Sequence, residues 1–303
     1  MTYWLGIDGG GSNLRVVVTR ADLTPVAQTF AETANPSVIG RDAAASRIQL
    51  AVQESLSQAG LVCLDLAGVC IGVAGASVAH SEAWLRQVLS PIVPGIPVAL
   101  SSDLEIALVG ANGARYGVLV LAGTGSAAYG VNRAGQSLQV GGWGYWLGDE
   151  GGSYWIGMKV LQRLARAADG RGIFPTDLKR QILTALGLSA ELDLIPWLYH
   201  SDQPRTRAIA QLARLVLDAA AAGLPEALHI TNAAAAELTL LCQAVMRELD
   251  MVEPSIAFAG GLLENDNILS QRLCDLLELP ARPVPQYPPV IGAVLLAQTQ
   301  VKG

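Results

Sequence analysis

Histidine and cysteine are scarce in this chain, with three histidines and four cysteines among 303 residues. Cys63, Cys70, Cys242 and Cys274 lack the C-x-x-C spacing of zinc and redox motifs. No histidine stands at a ligand spacing from another histidine or a cysteine. We therefore predict no metal site built from these residues, and we expect the cysteines to be buried thiols.

The sequence also lacks a basic stripe and a long apolar run. Its formal charge is −6, which argues against nucleic acid as a partner. The most apolar stretches, residues 88–100 and 117–131, are interrupted by glycine or proline, so we expect no membrane span. The N-terminus has no basic segment followed by an apolar one, so we expect no secretory signal and a cytoplasmic protein.

Two glycine-rich turns are the most informative motifs of the sequence. Residues 5–13 read LGIDGGGSN, and residues 121–126 read LAGTGS; apolar segments flank both. Each predicts a strand, a tight turn and a second strand, because glycine permits sharp turns and close backbone approach. Successive N–H groups in such turns bind anions. The pair therefore predicts two hairpins that hold a polyphosphate from both sides.

Two other nucleotide motifs are excluded. The segment GTGSAA at 123–128 satisfies the dinucleotide pattern G-x-G-x-x-A. That pattern requires a helix directly after the turn, whereas residues 129–135 predict a strand and a reverse turn. The G-x-x-x-x-G-K-[ST] pattern of a P-loop does not occur.

The rest of the chain alternates strands and helices. In the first half we predict a hairpin over 3–19, strands over 25–32, 66–73 and 96–101, and helices over 41–58, 81–89 and 104–111. In the second half we predict a hairpin over 117–131, a strand over 255–259, and helices over 154–168, 177–186, 205–222, 225–249, 267–277 and 291–300. This alternation predicts a duplicated α/β architecture with a cleft between two lobes.

Two aspartates stand at predicted strand ends, where ligands of such sheets bind. Asp8 suits an outer-sphere partner of Mg²⁺, which keeps most of its waters and takes few carboxylates. Asp103 precedes a helix, so it could serve as the helix N-cap, as a general base, or as both.

Residues 141–154 form an unusual segment in which glycines surround two tryptophans ahead of two carboxylates. Glycines pack a core poorly, but an exposed indole can stack on a sugar face while carboxylates bind hydroxyls. Asn35 lies in a predicted loop, where an asparagine commonly has only a turn role.

Taken together, these motifs resemble the N-acetylglucosamine kinase and BadF/BadG/BcrA/BcrD ATPase family of the actin–hexokinase–Hsp70 superfamily. DGGGSN at 8–13 resembles the first phosphate motif of the family, and LAGTGS at 121–126 resembles the second. Ser102-Asp103 resembles the strand end that carries the catalytic aspartate. GGWGYWLGDEGGSYWIG at 141–157 resembles the sugar-binding signature and is the most specific match. AFAGGLLEN at 257–265 resembles the adenosine loop, and PVIGA at 289–293 the start of a terminal helix that returns to the first lobe.

The resemblance implies two ribonuclease H-like (actin-like ATPase) lobes, each a mixed sheet flanked by helices. Residues 1–114 and 289–303 would form the N-terminal lobe, and residues 115–288 the C-terminal lobe. It further implies an ATP- and Mg²⁺-dependent kinase acting on the 6-hydroxyl of N-acetylglucosamine or glucosamine. We expect a homodimer.

The implied roles follow the motifs. Asp103 would be the catalytic base and a sugar ligand, and Asp8 would support Mg²⁺. The implied nucleotide-binding residues are Gly10, Gly11, Ser12, Asn13, Thr124, Gly125, Ser126, Ala221, Gly260, Gly261 and Asn265. The implied sugar-binding residues are Asn35, Asp103, Trp143, Gly144, Asp149 and Glu150.

Two departures from the family pattern bear on the activity. Ala127 stands where the vertebrate-type N-acetylglucosamine kinases have a sugar-contacting asparagine, which predicts broader hexosamine use that includes glucosamine. Residues 121–123 lack the cysteine that binds an iron–sulfur cluster in dehydratase activators, which makes that branch a poor match.

Two alternatives remain open at this point. The chain could be a non-kinase ATPase that activates or reactivates a partner enzyme, although such a protein needs no sugar pocket. A sugar-responsive regulator would need a DNA-binding helix pair before the first strand, and the sequence offers too few residues there.

Overall fold

The structure is a computed structural model that describes residues 2–11, 13–75, 78–200 and 205–300, without the side chains of 78–80. Its first sheet has the strand order β3–β2–β1–β4–β5. The strands are β1 (Tyr3–Gly9), β2 (Asn13–Arg20), β3 (Pro25–Glu32), β4 (Leu66–Val73) and β5 (Val98–Ser101). β1, β2 and β3 are antiparallel neighbours, whereas β4 and β5 run parallel to β1. The central strands are apolar throughout because helices cover both faces.

The helices of this half are α1 (Pro36–Ile39), α2 (Arg41–Ala59), α3 (Val78–Leu89) and α4 (Asp103–Asn112). One face of the first sheet packs against Ile48 and Val52 of α2. The opposite face, with Trp4 and Val17, packs against α4 and the terminal helix, which we call α11 (Pro289–Gln300).

The second sheet repeats this pattern, with the order β8–β7–β6–β9. Its strands are β6 (Gly117–Ala122), β7 (Ser126–Val131), β8 (Ser137–Gly141) and β9 (Ile256–Ala259). β6, β7 and β8 are antiparallel neighbours, and β9 runs parallel to β6. The remaining helices are α5 (Ser153–Ala168), α6 (Thr176–Leu186), α7 (Leu194–Tyr199), α8 (Thr206–Ala221), α9 (Pro225–Glu248) and α10 (Ile268–Leu276). The predicted duplicated α/β architecture is confirmed.

Several details differ from the expectation. β8 and α7 were not expected, β5 starts at Val98 rather than residue 96, and α3 starts at Val78 rather than residue 81. The four cysteines are free, and three are buried as expected. Cys63 is half-buried instead, because it lies in a short 3₁₀ turn, Cys63–Asp65, before β4.

Helix α4 lies between the two lobes. Every residue from Leu104 to Ala111 is buried, which is typical of a helix that is surrounded by protein. Ile106 and Val109 pack with α11 and the first sheet. Leu104 and Leu108 pack against the second sheet. The packing of α11 on the first sheet agrees with the predicted lobe division, which stays a prediction.

Two glycines allow α4 and α11 to touch through their backbones. A Cβ atom at Gly292 of α11 would collide with the backbone of Ile106 and Gly110. A Cβ atom at Gly110 would lie 2.8 Å from the carbonyl oxygen of Pro288. Neither position leaves room for a side chain, so this contact fixes how close α4 lies to α11.

Two parts of the described chain are long and apolar enough to cross a membrane by length and composition. One is Thr176–Tyr199, and the other is the α8–α9 pair. The first is interrupted where α6 ends at Gly187, and the two helices of the pair meet at 115°. The absence of a membrane span therefore stays a prediction.

We predict that Gly292→Ala destabilises the protein by about 1–3 kcal/mol, the usual cost of forcing a methylene into a packed interior. Urea unfolding measures the change. Gly172→Ala is the matched control, because a Cβ atom there would meet nothing within 4 Å. Equal stability of the two variants would contradict the backbone contact.

Candidate functional site

A cleft of about 540 Å³ lies between the lobes, beyond the ends of the sheet strands. Its walls come from both halves of the chain. The lining residues are Val73, Gly75, Ser102, Asp103, Leu104, Leu121, Gly125, Ser126, Ala127, Gln139, Gly142, Gly144 and Asp149. The structure therefore brings Asp103, the second phosphate turn and part of the 141–154 segment into one space.

Asp103 is the first residue of α4, and the neighbouring Ser102 is the N-cap. The Ser102 hydroxyl accepts a hydrogen bond from the Glu105 N–H at 3.0 Å. The capping role is thus filled by Ser102, and the Asp103 carboxylate lines the cleft. Burial raises the pKa of Asp103, while the backbone N–H groups of Leu104 and Asp103 itself oppose that shift.

Asp8 lies near the end of β1 and is 6% exposed. Its carboxylate is 3.6 Å from the Arg15 guanidinium. Burial raises the pKa of Asp8 to about 6; Arg15 opposes this shift, and the nearby negative charge of Asp103 adds to it. The two carboxylates are therefore close enough to repel each other.

This pair of carboxylates fits a magnesium ion delivered with a nucleotide. The described residues include no group of three or more metal-ligating side chains. Mg²⁺ commonly takes one or two carboxylates and completes its shell with water and phosphate oxygens. Asp8 and Asp103 supply oxygen donors of that kind.

The first phosphate turn joins β1 to β2. Gly10 is half-buried, Gly11 and Asn13 are exposed, and nothing lies within 4 Å of a Cβ atom placed at Gly11. Ser12 lies outside the described residues. The described part of this turn is open, as a ligand-binding backbone must be.

The second phosphate turn is closed by a bond from the Gly123 N–H to the Gly125 carbonyl at 2.9 Å. Thr124 is exposed at its tip. The Ser126 hydroxyl donates to the Glu150 carbonyl at 2.6 Å, so it supports the neighbouring loop in this arrangement. A Cβ atom at Gly125 would collide with the Asp149 carboxylate, so a side chain there would displace that carboxylate.

Backbone hydrogen bonds join this turn to the 141–154 segment. The N–H groups of Gly142, Ser153 and Tyr154 donate to the carbonyls of Ser126, Gly123 and Thr124 at 2.9, 2.8 and 3.1 Å, respectively. The phosphate turn and the segment therefore form one connected unit.

Asp149 is the central residue of that unit. It adopts a left-handed backbone conformation, with φ of 61°, which is uncommon for aspartate. Burial raises the pKa of its carboxyl, and backbone N–H groups of Gly144 and Ser126 hydrogen-bond to it and lower the pKa. Asp149 thus lines the cleft and also holds the loop to the phosphate turn.

Other predicted sugar residues lie at or beyond the edge of the cleft. Gly144 is part of the lining, but Trp143 is not, and Trp143 is 74% exposed. Glu150 is half-buried beyond the lining. Asn35 caps α1 by accepting the Ser37 N–H at 2.9 Å, and its side chain lies against Gly75 at the cleft wall.

The predicted adenosine residues are on the second lobe. Gly260 follows β9 with φ of 86° and packs against the Ala122 backbone. Gly261 and Asn265 are exposed in the loop that follows, and Ala221 is exposed at the end of α8. Their roles stay predictions.

The structure adds one residue that the sequence reasoning missed. Gln139 lies on β8 and lines the cleft. Because β8 was not expected, the sequence alone did not predict that Gln139 lies near Ala127. The alternation of polar and apolar residues over 137–141 is the signal that could have predicted this strand.

Comparison with known proteins identifies the family of this chain. The profile of the BadF/BadG/BcrA/BcrD ATPase family matches residues 5–297. The N-acetylmuramic acid/N-acetylglucosamine kinase of Clostridium acetobutylicum is 31% identical over 312 residues, covering 99% of both chains. The N-acetyl-D-glucosamine kinase of Dictyostelium discoideum is 29% identical over 324 residues, covering 99% of this chain and 98% of the relative.

Among solved structures, a protein of Chromobacterium violaceum provisionally named N-acetylglucosamine kinase has a TM-score of 0.74 to this chain. The two are 29% identical, and the match covers 97% of this chain and 98% of that one. The family resemblance and the fold expected from it are confirmed.

We predict that Asp8→Asn stabilises the protein without nucleotide or magnesium at neutral pH. The folded protein binds the Asp8 proton more tightly than the unfolded chain does, because the pKa rises from 3.8 to about 6. This contribution to stability is present below pH 4 and is lost as the pH rises through about 6. Asparagine stays neutral, so the variant should gain about 1–3 kcal/mol at pH 7.5 and little at pH 4.

Urea unfolding at the two pH values measures this difference. Asp275→Asn, on the exposed surface of α10, is the control and should shift stability by no more than about 0.5 kcal/mol. A variant at Asp8 that is less stable than the natural protein at pH 7.5 would show that the ion pair with Arg15 outweighs burial.

Proposed function

The chain belongs to the BadF/BadG/BcrA/BcrD ATPase family, and on that premise we propose that it is an ATP-dependent amino-sugar kinase. Its substrate would be N-acetylglucosamine or glucosamine, and the phosphoryl group would go to the 6-hydroxyl. The observation that carries this proposal is the shared cleft, in which the Asp103 carboxylate faces the same space as the second phosphate turn and Asp149.

Asp103 is the proposed general base. Its carboxylate would accept the proton of the 6-hydroxyl as the oxygen attacks the terminal phosphorus of ATP. A pKa raised by burial suits this role, because a more basic carboxylate takes the proton more readily. Phosphoryl transfer needs little else from a protein beyond positioning and charge stabilisation.

The two glycine turns would hold the phosphates from opposite sides. Backbone N–H groups at Gly10, Gly11 and Gly125, with the hydroxyls of Ser12 and Thr124, would donate to the phosphate oxygens. Bound Mg²⁺ would supply positive charge that stabilises the phosphate oxygens. Asp8 would orient the waters of that ion, and its repulsion with Asp103 would be relieved at the same time. Asn13 and Ser126 would support the turns, and Ala221, Gly260, Gly261 and Asn265 would flank adenosine.

The sugar would lie between Asp103 and the 141–154 segment. Asp149 and Asn35 would bind hydroxyls from the two walls, and Gly144 would allow the ring to approach the backbone. Trp143 and Glu150 lie outside the present lining. We propose that the lobes close on the sugar and that both residues then reach it. We further propose that the protein works in the cytoplasm as a homodimer and binds neither nucleic acid nor membrane.

An assay of ADP release with ATP, Mg²⁺ and a panel of hexosamines tests the activity. We expect release only with amino sugar, and a product with phosphorus coupled to the C6 protons by NMR. Release that is independent of every sugar would instead support the alternative, a non-kinase ATPase that activates a partner enzyme.

We predict that Asp103→Asn keeps the fold and sugar binding but lowers kcat by about 10²- to 10⁴-fold, the usual loss for a general base. Steady-state kinetics and calorimetric titration with sugar measure the two effects. A correctly folded variant with a near-natural kcat would disprove the assignment.

We predict that Trp143→Ala raises KM for the sugar far more than KM for ATP. Gly142 and Gly144 flank this residue with φ of 73° and 81°, which gives the loop unusual backbone freedom. Trp146→Ala is the matched control, because Trp146 is 82% exposed in the same loop and has no proposed sugar contact. Equal effects of the two substitutions would show that Trp143 has no special contact with the sugar.

A further inference from the structure

Three residues form one corner of the cleft, which we call the β8 corner: Ala127, Gln139 and Gly142. All three line the cleft. A Cβ atom at Gly142 would lie 2.7 Å from Gln139 Nε2 and 3.5 Å from the Ala127 Cβ. The corner therefore combines a methyl group, a glycine and a carboxamide whose Nε2 lies against that glycine.

The Gln139 carboxamide has hydrogen-bonding capacity to spare. Its Nε2 donates only to the Gly141 carbonyl, at a long 3.4 Å. Its Oε1 accepts no hydrogen bond from the part of the chain that the structure describes. Each of the other uncharged polar side chains of the lining has one function in use, since the Ser102 hydroxyl accepts from the Glu105 N–H and the Ser126 hydroxyl donates to the Glu150 carbonyl. Gln139 is thus the lining side chain that offers an unused donor and an unused acceptor.

The charges of the lining disfavour an anionic ligand group but not an ammonium, so the choice between a free amine and an amide rests on Gln139 and Ala127. Asp103 and Asp149 are negative, and no lysine or arginine is among the lining residues that the structure describes. An anionic substituent would meet no compensating charge there. A neutral amide would lose little, because Gln139 can both donate to its carbonyl and accept from its N–H.

The shape of an amino sugar connects this corner with the reacting hydroxyl. C2 of a pyranose lies across the ring from C5, which carries C6. A sugar whose 6-hydroxyl meets Asp103 therefore directs its 2-substituent away from Asp103. Gln139 and Ala127 belong to the second lobe, whereas Asp103 is on α4.

We infer that the β8 corner recognises the 2-acetamido group of the substrate and that Gln139 is a specificity-determining residue. The acetamido methyl packs on Ala127, and its amide pairs with the Gln139 carboxamide, which lies beside Gly142. This inference rests on the proposed function. It revises the expectation drawn from Ala127 alone, because Gln139 supplies the donor and acceptor that alanine lacks. The preferred substrate class is then the N-acetylated amino sugar rather than the free amine.

Substitution of Gln139 tests the inference by a ratio of two activities. The measured quantity is kcat/KM for N-acetylglucosamine divided by that for glucosamine. Gln139→Ala should lower this ratio about 2- to 10-fold, the scale of one neutral hydrogen bond. Gln139→Glu has nearly the same shape and should lower it further, because a carboxylate attracts the glucosamine ammonium and loses the donor to the acetamido carbonyl.

Gln136→Glu is the matched control, since it places the same charge in the turn before β8, outside the cleft lining. Its ratio should equal that of the natural protein, and thermal unfolding checks that all variants fold. An unchanged ratio in both Gln139 variants, or equal losses for both sugars, would overturn the inference while leaving the kinase activity intact. A natural protein that phosphorylates neither sugar would instead overturn the proposed function itself.

Discussion

The backbone contact between α4 and α11 is the constraint on which the rest of the site depends. Gly110 and Gly292 allow the two helices to approach without side chains between them. The closely packed pair occupies the space between the two sheets and contacts the first sheet, while α4 also contacts the second. Because α4 begins at Asp103, its placement also sets the position of the proposed base.

A second constraint joins the proposed sugar site to the proposed phosphate site. The 141–154 segment hydrogen-bonds to the turn at 123–125, and Asp149 packs its carboxylate onto Gly125. A movement of the 141–154 segment must therefore move the turn at 123–125 as well. Under the proposed function, this connection is the physical route by which sugar binding would align the phosphates for transfer.

Much of this organisation could be predicted from the sequence because the signals are local. Both glycine turns follow apolar strands, and β3 and β4 have the bounds that apolar patterning predicts. The details that escaped prediction depend on three-dimensional neighbours. β8 is a short, half-exposed strand whose pairing with β7 is visible only in the fold, so Gln139 was missed. α7 contains Pro196, which obscures a helix pattern.

In the candidate site, too, some features could be predicted from the sequence and others could not. The placement of Asp103 and Asp149 in one cleft was expected from their motifs. Two other features could not be predicted from the sequence: the hydrogen bond from the Ser126 hydroxyl to the Glu150 carbonyl, and the exposure of Trp143. Each depends on how a loop packs rather than on residue type.

The long sequence separation between α4 and α11 has a consequence for biosynthesis. One face of the first sheet, with Trp4, Val17 and Cys70, is covered partly by residues of α11. A ribosome adding roughly 5–20 residues per second needs on the order of ten seconds or more to pass from α4 to α11. During that interval the nascent first sheet exposes the part of this apolar face that α11 covers in the folded protein. The predicted second lobe, residues 115–288, is continuous in sequence and has no such wait, so the predicted lobe that begins first is completed after it.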